Sequence, residues 1–305
     1  MSLSRITYQD CPLCHSRQIS AMLKTNDFML TNEKFEIWKC SECGFVFTQN
    51  VPSLEEIGRY YQSQEYISHS DTKKGLMNRL YHSARTFMLR KKLRMLEKVT
   101  QGKKLLDIGT GTGYFPGYMK TKGFDAIGVE VDPKARAFAE KEFGLKVFPP
   151  EDFIARKLVG KFEVITLWHV MEHLHDFNLY LERMKEYLAP GGTLVIALPN
   201  CESLDARFYK KYWAGYDVPR HLWHFTPSTL KILAGKHSFE IMKMKRLPLD
   251  PFYNSMLSEK YRKNRLYMIS GWIIGEMAYL ESLFSLRKSS SVVYFLTGEA
   301  KRRGE

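Results

Sequence analysis

The sequence predicts an α/β fold: a largely parallel sheet with helices on both faces, preceded by a small cysteine-bearing module. Three observations carry this. From Lys103 onward, short apolar runs alternate with amphipathic stretches. A glycine-rich turn separates the first such run from the first such stretch. Two cysteine pairs lie near the N-terminus. The 305 residues, 44% hydrophobic and 26% charged, suffice for one large domain plus a small module. We divide the chain into a cysteine module (1–52), a helical connector or lid (53–99) and a main domain (100–305) with an insertion at about 245–289.

The module holds Cys11-Pro12-Leu13-Cys14 and Cys40-Ser41-Glu42-Cys43-Gly44. Each C-x2-C turn presents two thiolates to one metal, and four thiolates close a tetrahedral structural zinc site with no open position for catalysis. Residues 1–10 are polar and mixed, unlike a secretion leader. That favours a cytoplasmic location and metal over disulfides. Cys201 stands apart and reads as a plain thiol.

In the connector, Leu80, Tyr81, Phe87, Met88, Leu89, Leu93 and Leu96 interleave with Arg and Lys, which predicts an amphipathic helix. The main domain predicts strands at 104–108, 126–131, 146–148, 162–168 and 193–198. Helices follow the first strand up to Lys122 and then fill 133–143 and 178–188. Pro190-Gly191-Gly192 is a turn. A helix at 228–237 and strands at 239–244 and 292–297 complete the pattern. The two late strands lack a simple crossover, which predicts an antiparallel pair at the sheet edge.

Chemistry is most legible at Leu105-Leu106-Asp107-Ile108-Gly109-Thr110-Gly111-Thr112-Gly113-Tyr114. Glycines between strand and helix let the backbone turn tightly and approach a ligand. Glu130, before Val131, ends the next strand, where a carboxylate can accept both hydroxyls of a ribose. A dinucleotide turn prefers G-x-G-x-x-G. Here the spacing is G-x-G-x-G, and Asp107 would repel a pyrophosphate. The same charge suits the cationic methionyl part of S-adenosylmethionine (SAM).

With these residues, the chain resembles the class I SAM-dependent methyltransferases over about residues 100–245. Asp107 to Gly113 matches their first motif and Glu130 their ribose acid. Phe162-Glu-Val-Ile-Thr-Leu-Trp-His-Val-Met-Glu-His-Leu174 is similar to the strand-four motif of quinone-type methyltransferases. The resemblance implies a seven-stranded Rossmann-like sheet whose last strand is antiparallel. It also implies a cofactor across strands one, two and four. The implied cofactor residues are Asp107, Gly109, Thr110, Gly111, Gly113, Glu130, Val131, Asp152, Phe153, Trp168 and His169.

Candidate catalytic residues are Glu172 and His173, after strand four, and His221. A histidine accepts protons near neutral pH, and a neighbouring carboxylate can orient it. His221 lies in Pro219-Arg220-His221-Leu222-Trp223-His224-Phe225-Thr226-Pro227, where Thr226 and Pro227 predict a helix start. This loop is similar to one in zinc-bearing deoxysugar C-methyltransferases, which use a Glu-His pair there. His221 matches the histidine, but Arg220 stands in place of the glutamate. Arg220 is then expected to hold a substrate phosphate or carboxylate.

The resulting expectation is SAM-dependent O- or C-methylation of a small, anionic or nucleotide-linked metabolite such as a sugar. The net charge of +13 would attract such a substrate. An RNA methyltransferase using the zinc module on RNA is one alternative, and a non-catalytic SAM- and zinc-binding module another. Residues 264–287 are apolar with basic flanks, but Glu276 and Glu281 interrupt them, so no stable membrane insertion is expected. We read them as a helix docked on the sheet edge or in a dimer, with membrane or lipid-linked substrate contact as the alternative.

Overall fold

The computed structural model describes residues 4–62 and 76–298, without the side chains of residues 76–81. Residues 63–75 of the expected connector, and the side chains of Leu80 and Tyr81, lie outside that description. The rest of the connector includes α1 (Leu76–Leu96).

The main sheet contains β6 (Lys104–Ile108), β7 (Asp125–Val129), β8 (Lys146–Phe148), β9 (Phe162–Trp168), β10 (Leu188–Pro199), β12 (Glu240–Arg246) and β13 (Ser291–Thr297). Their order is β12-β13-β10-β9-β6-β7-β8. Strands β6 to β10 pair in parallel, and β13 runs antiparallel to both β10 and β12. This is the expected seven-stranded sheet with its last strand antiparallel. The late pair is present, with β13 inserted between β10 and β12. Alternation along the strands builds two cores. Leu106, Ile165, Leu167, Ile196 and Leu198 face one, while Leu105, Val164, Val195 and Ala197 face the other.

Helices α2 (Tyr114–Lys120), α3 (Pro133–Phe143), α4 (Pro150–Ile154), α5 (Phe177–Tyr187) and α6 (Leu204–Tyr209) punctuate this sheet. Local caps explain where several begin. Asp132 accepts from the Lys134 amide at the start of α3, and Asp176 from the Leu179 amide at the start of α5. The expected turn at Pro190-Gly191-Gly192 is absorbed into β10 as a register shift between Leu188 and Thr193. Thr226 and Thr229 form a capping box for α7 (Pro227–Lys236), as the Thr226-Pro227 pair predicts.

The N-terminal region forms β1 (Arg5–Ile6), β2 (Ile19–Asn26), β3 (Lys34–Cys40), β4 (Val46–Gln49) and β5 (Val51–Pro52). Its larger sheet has the order β11-β4-β3-β2, and β11 (Trp223–His224) comes from the main domain. The loop around His221 is therefore sheet-bonded to the cysteine-bearing region. Phe45, Phe177, Phe225 and Trp223 pack their rings across that junction. The insertion folds as two antiparallel helices, α8 (Asp250–Tyr261) and α9 (Tyr267–Phe284).

Candidate active site and cysteine centre

The glycine turn follows β6. Gly109, Gly111 and Gly113 all have left-handed backbone, with φ of 73°, 55° and 82°. A Cβ on Gly109 would stand 2.3 Å from a Val170 methyl, and one on Gly113 2.6 Å from the Ala139 Cβ. Gly111 differs: nothing lies within 4 Å of its Cβ position. Two of these glycines thus serve packing, and the third opens a face of the backbone. The Gly111 amide donates to Glu130 Oε2 (2.7 Å), and the Asp132 amide donates to Oε1 (3.0 Å). These bonds set the carboxylate across the turn and leave it lone pairs for further donors.

Asp107 is buried at the end of β6. It accepts from the Thr166 hydroxyl (2.5 Å) and the Thr110 hydroxyl (3.3 Å). Burial raises its pKa against the pull of Thr166 and of the nearby Lys92 ammonium. Lys92, from α1, lies 4.1 Å from the Trp168 ring centroid, and burial lowers its pKa. The Trp168 Nε1 is buried without a hydrogen-bond partner. Val131 is exposed, and Asp152 pairs with Lys157 at 2.8 Å. Phe153 is wholly buried, packed on Tyr180 and Tyr187, and presents no surface to a ligand.

Glu172, His173 and His221 come together although the loop of His221 follows a different strand. One polar atom of each lies within 4.8 Å of the others. The His173 and His221 rings meet edge to face at 4.6 Å. His221 Nδ1 lies 2.9 Å from the Gly215 carbonyl. A carbonyl only accepts, so Nδ1 carries the proton and Nε2 keeps its lone pair in the neutral ring. Thr48 of β4 donates to the His221 carbonyl at 2.8 Å, which ties this residue to the N-terminal sheet. Both carboxylate oxygens of the buried Glu172 lack a hydrogen-bond partner, and His169 Nδ1 stands 3.5 Å from Oε1. Burial raises the Glu172 pKa, but the surrounding imidazoles outweigh it and hold it below the usual range.

His169 behaves differently. Its backbone is left-handed at φ 59°, and its Nε2 reaches Asp250 Oδ2 at 3.1 Å. Burial opposes its charge, but Asp250 and Glu172 prevail and raise its pKa to about 10. His173 is pulled down to about 4 by burial and by His221. Arg220 requires a correction. Its side chain is 1% exposed and bonds Asp217 Oδ1 and Oδ2, Asp27 Oδ1 and the Tyr60 carbonyl. With its donors engaged inside the protein, it is not free to take a substrate phosphate or carboxylate. His224 is buried too, and its Nε2 meets the Thr48 hydroxyl at 3.0 Å. Cys201 is a half-buried thiol whose pKa burial raises to about 12.

Sequence reasoning missed Lys92, Asp250, Asp217, Asp27 and Thr166. Lys92 is one of many cations on an amphipathic helix, and Asp250-Pro251 reads only as a helix start.

The four cysteine sulfurs lie within 4.8 Å of one another. The Cys11–Cys43 and Cys14–Cys40 sulfur distances are both 3.6 Å. A tetrahedron of thiolates about 2.3 Å from a zinc ion has edges of roughly 3.8 Å. The donor set and its spacing fit that ion.

A family model described as a methyltransferase domain matches residues 80–243, more than half of the chain. The chain belongs to the methyltransferase domain family. Over 167 residues this methyltransferase is 27% identical to the ubiquinone biosynthesis O-methyltransferase of Azorhizobium caulinodans, covering 50% of the chain and 64% of that relative. Over 165 residues it is 30% identical to the Cereibacter sphaeroides protein of the same description, covering 50% and 66%. The matches thus span just under two thirds of these relatives' length. Among solved structures, magnesium protoporphyrin IX methyltransferase from Synechocystis with bound SAH aligns at a TM-score of 0.51 and 12% identity. That alignment covers 78% of this chain and 96% of that one, and shows the shared fold.

Proposed function

We propose that this methyltransferase moves a methyl group from SAM to a hydroxyl of a small acceptor, and that zinc in the four-cysteine centre holds the fold. Bound SAM supplies an electrophilic methyl on a cationic sulfur. Glu130 would accept from its ribose hydroxyls, and the open backbone at Gly111 would lie against it. Asp107, through Thr110 and Gly109, shapes the turn beneath its methionyl part, with Gly113 closing the turn on α3. Trp168 and His169 would border it at the end of β9, and Val131 and Asp152 would lie toward the adenine. Phe153 supports Asp152 from the core. The division at residues 52 and 99 is proposed with this reading.

The observation that carries the reading is the fixed tautomer of His221 beside the buried Glu172 carboxylate, whose oxygens accept no hydrogen bond. His169 already holds a proton at neutral pH, and His173 is a weak base. That leaves His221 Nε2 as the proton acceptor. Methyl transfer to a hydroxyl would require the O–H proton to leave as the ether forms. The O–H proton passes to Nε2, and Glu172 stabilises the imidazolium formed. The products are a methyl ether and the demethylated cofactor.

The curated relatives support a hydroxyl on a quinone-type ring. The engagement of Arg220 within the protein removes the side chain expected to hold a substrate phosphate or carboxylate. The test is methyl-labelled SAM offered with dihydroxyaromatic acceptors, nucleotide-linked sugars and RNA in parallel. Label is expected in the aromatic ether. Label confined to sugar or RNA overturns the acceptor class, and label in none overturns catalysis.

A further inference from the structure

Helix α9 turns its small residues inward and its large apolar residues outward. Gly271, Gly275, Ala278 and Ser282 share one buried face. A Cβ on Gly271 would stand 2.5 Å from the Met256 Cα, and one on Gly275 2.7 Å from the Phe252 Cα. The backbones of α8 and α9 therefore touch, and glycine is needed for that approach. The other face presents Ile269, Trp272, Ile273, Met277, Leu280 and Leu283, all 45–63% exposed. At about 100° per residue these positions share one half of the helix. Phe284 ends the stripe at 92% exposure. The sequence suggests a helix docked on the sheet edge or in a dimer; its small-residue face packs on α8, and its large apolar face is left open. An exposed apolar stripe of this kind marks an interaction surface.

Charge identifies the occupant. Lys263 and Arg265 are exposed just before the helix, and Arg287 just after it, with Lys288 half-buried beside it. Glu281 is paired with Arg207. Glu276 is half-buried on the apolar side, which opposes deep burial of that face. No helix among the described residues is long and apolar enough to cross a membrane. We propose that α9 lies flat on an anionic lipid surface, its apolar stripe among the outer acyl chains and its two basic ends on the headgroups. A second copy of this chain fits less well. Two-fold pairing brings the same patch onto itself, so basic ends would meet basic ends whichever way the helices run. An anionic surface neutralises both ends together. The inference concerns where the protein sits and does not depend on the acceptor.

The test uses the full chain with vesicles of phosphatidylcholine alone and of phosphatidylcholine with phosphatidylglycerol. Binding is read by co-sedimentation and by the fluorescence difference between wild type and Trp272→Phe. Wild type is expected to bind the anionic vesicles, with Trp272 emission shifting to the blue. Ile269→Glu with Ile273→Glu should weaken binding at least tenfold. Lys263→Gln and Arg265→Gln should each weaken it about fivefold. All these sites are exposed, and an unchanged thermal transition confirms the fold. No binding to anionic vesicles overturns the proposal, as does equal binding to both vesicle types. A dimer that Ile273→Glu dissociates, without vesicle binding, assigns the face to a second copy instead.

Discussion

Arg220 and Asp27, 193 residues apart in sequence, meet in an ion pair of 2.8 Å in which neither side chain is more than 1% exposed. The same guanidinium grips Asp217 through two bonds of 2.7 and 3.0 Å and the Tyr60 carbonyl at 2.9 Å. One side chain thus joins the end of β2, the turn at Tyr60 and the loop that carries His221. Arg220→Ala would leave two carboxylates without their cation, and should destabilise the protein by about 3–5 kcal/mol. Urea unfolding measures this, and a loss below about 1 kcal/mol would refute the lock. Burial raises the Asp217 pKa, but Arg220 holds it below the ordinary value. Its contribution should therefore be complete above about pH 4 and fade as pH falls further.

His169 should stay protonated through neutral pH. Its folded pKa of about 10 lies above the unfolded value of about 6.5. The stability it contributes is full below about pH 6.5 and is lost as pH rises toward 10. NMR titration of its ring protons is the check, and a midpoint near 6.5 would contradict the geometry. Asp250→Asn should move the midpoint down, since Asp250 is its nearest acid.

Gly111 and Gly109 should separate ligand binding from folding. Gly111→Val meets no neighbouring atom but strains the left-handed backbone at φ 55°, so it should cost SAM affinity along with some stability. Gly109→Ala meets Val170 at 2.3 Å and should cost stability first. Glu130→Ala should weaken SAM tenfold or more, with the loss of a charged acceptor for the ribose. Calorimetry beside thermal melting distinguishes these effects. Wild-type SAM affinity in Gly111→Val would remove the turn from the cofactor site.

Zinc should be present at one ion per chain, and its loss should reach the active site. Strand β11 pairs with β4, and Thr48 bonds the His221 carbonyl. Chelation should therefore unfold the N-terminal region and lower turnover together. Metal analysis and hydrogen exchange on residues 213–225 test this. Metal-free protein with a fully protected loop would show the centre to be unneeded.

His221→Ala should lower turnover about 10²-fold or more and leave SAM affinity nearly unchanged. Stopped single-turnover assays with saturating acceptor read the chemical step. Unchanged turnover would pass the proton to Glu172 or to solvent.

Features set by neighbouring residues were legible in the sequence itself. The turn from Gly109 to Gly113 needs left-handed backbone at positions that glycine supplies. The C-x2-C pairs need only a short turn each to aim two sulfurs, and Thr226 with Pro227 starts a helix unaided. The alternation of apolar runs fixed the layers, because each strand and helix must bury its own face. What lay beyond reach were meetings between distant segments. Arg220 looked free for a substrate because nothing near it in sequence is acidic except Asp217, and Asp27 arrives from the end of β2, far away in the chain. His169 looked only like a cofactor neighbour until the start of α8 set Asp250 against it. Glu172 and His221 share a site because the loop leading into β11 lies over the end of β9, where the Leu222 amide donates to the Glu172 carbonyl at 2.8 Å. Helix α9 was apolar on both sides in sequence, and only the approach of α8 decided that the glycine face would be the buried one. Such choices depend on which surfaces the whole chain brings into contact, and desolvation then sets the charge of each group found there.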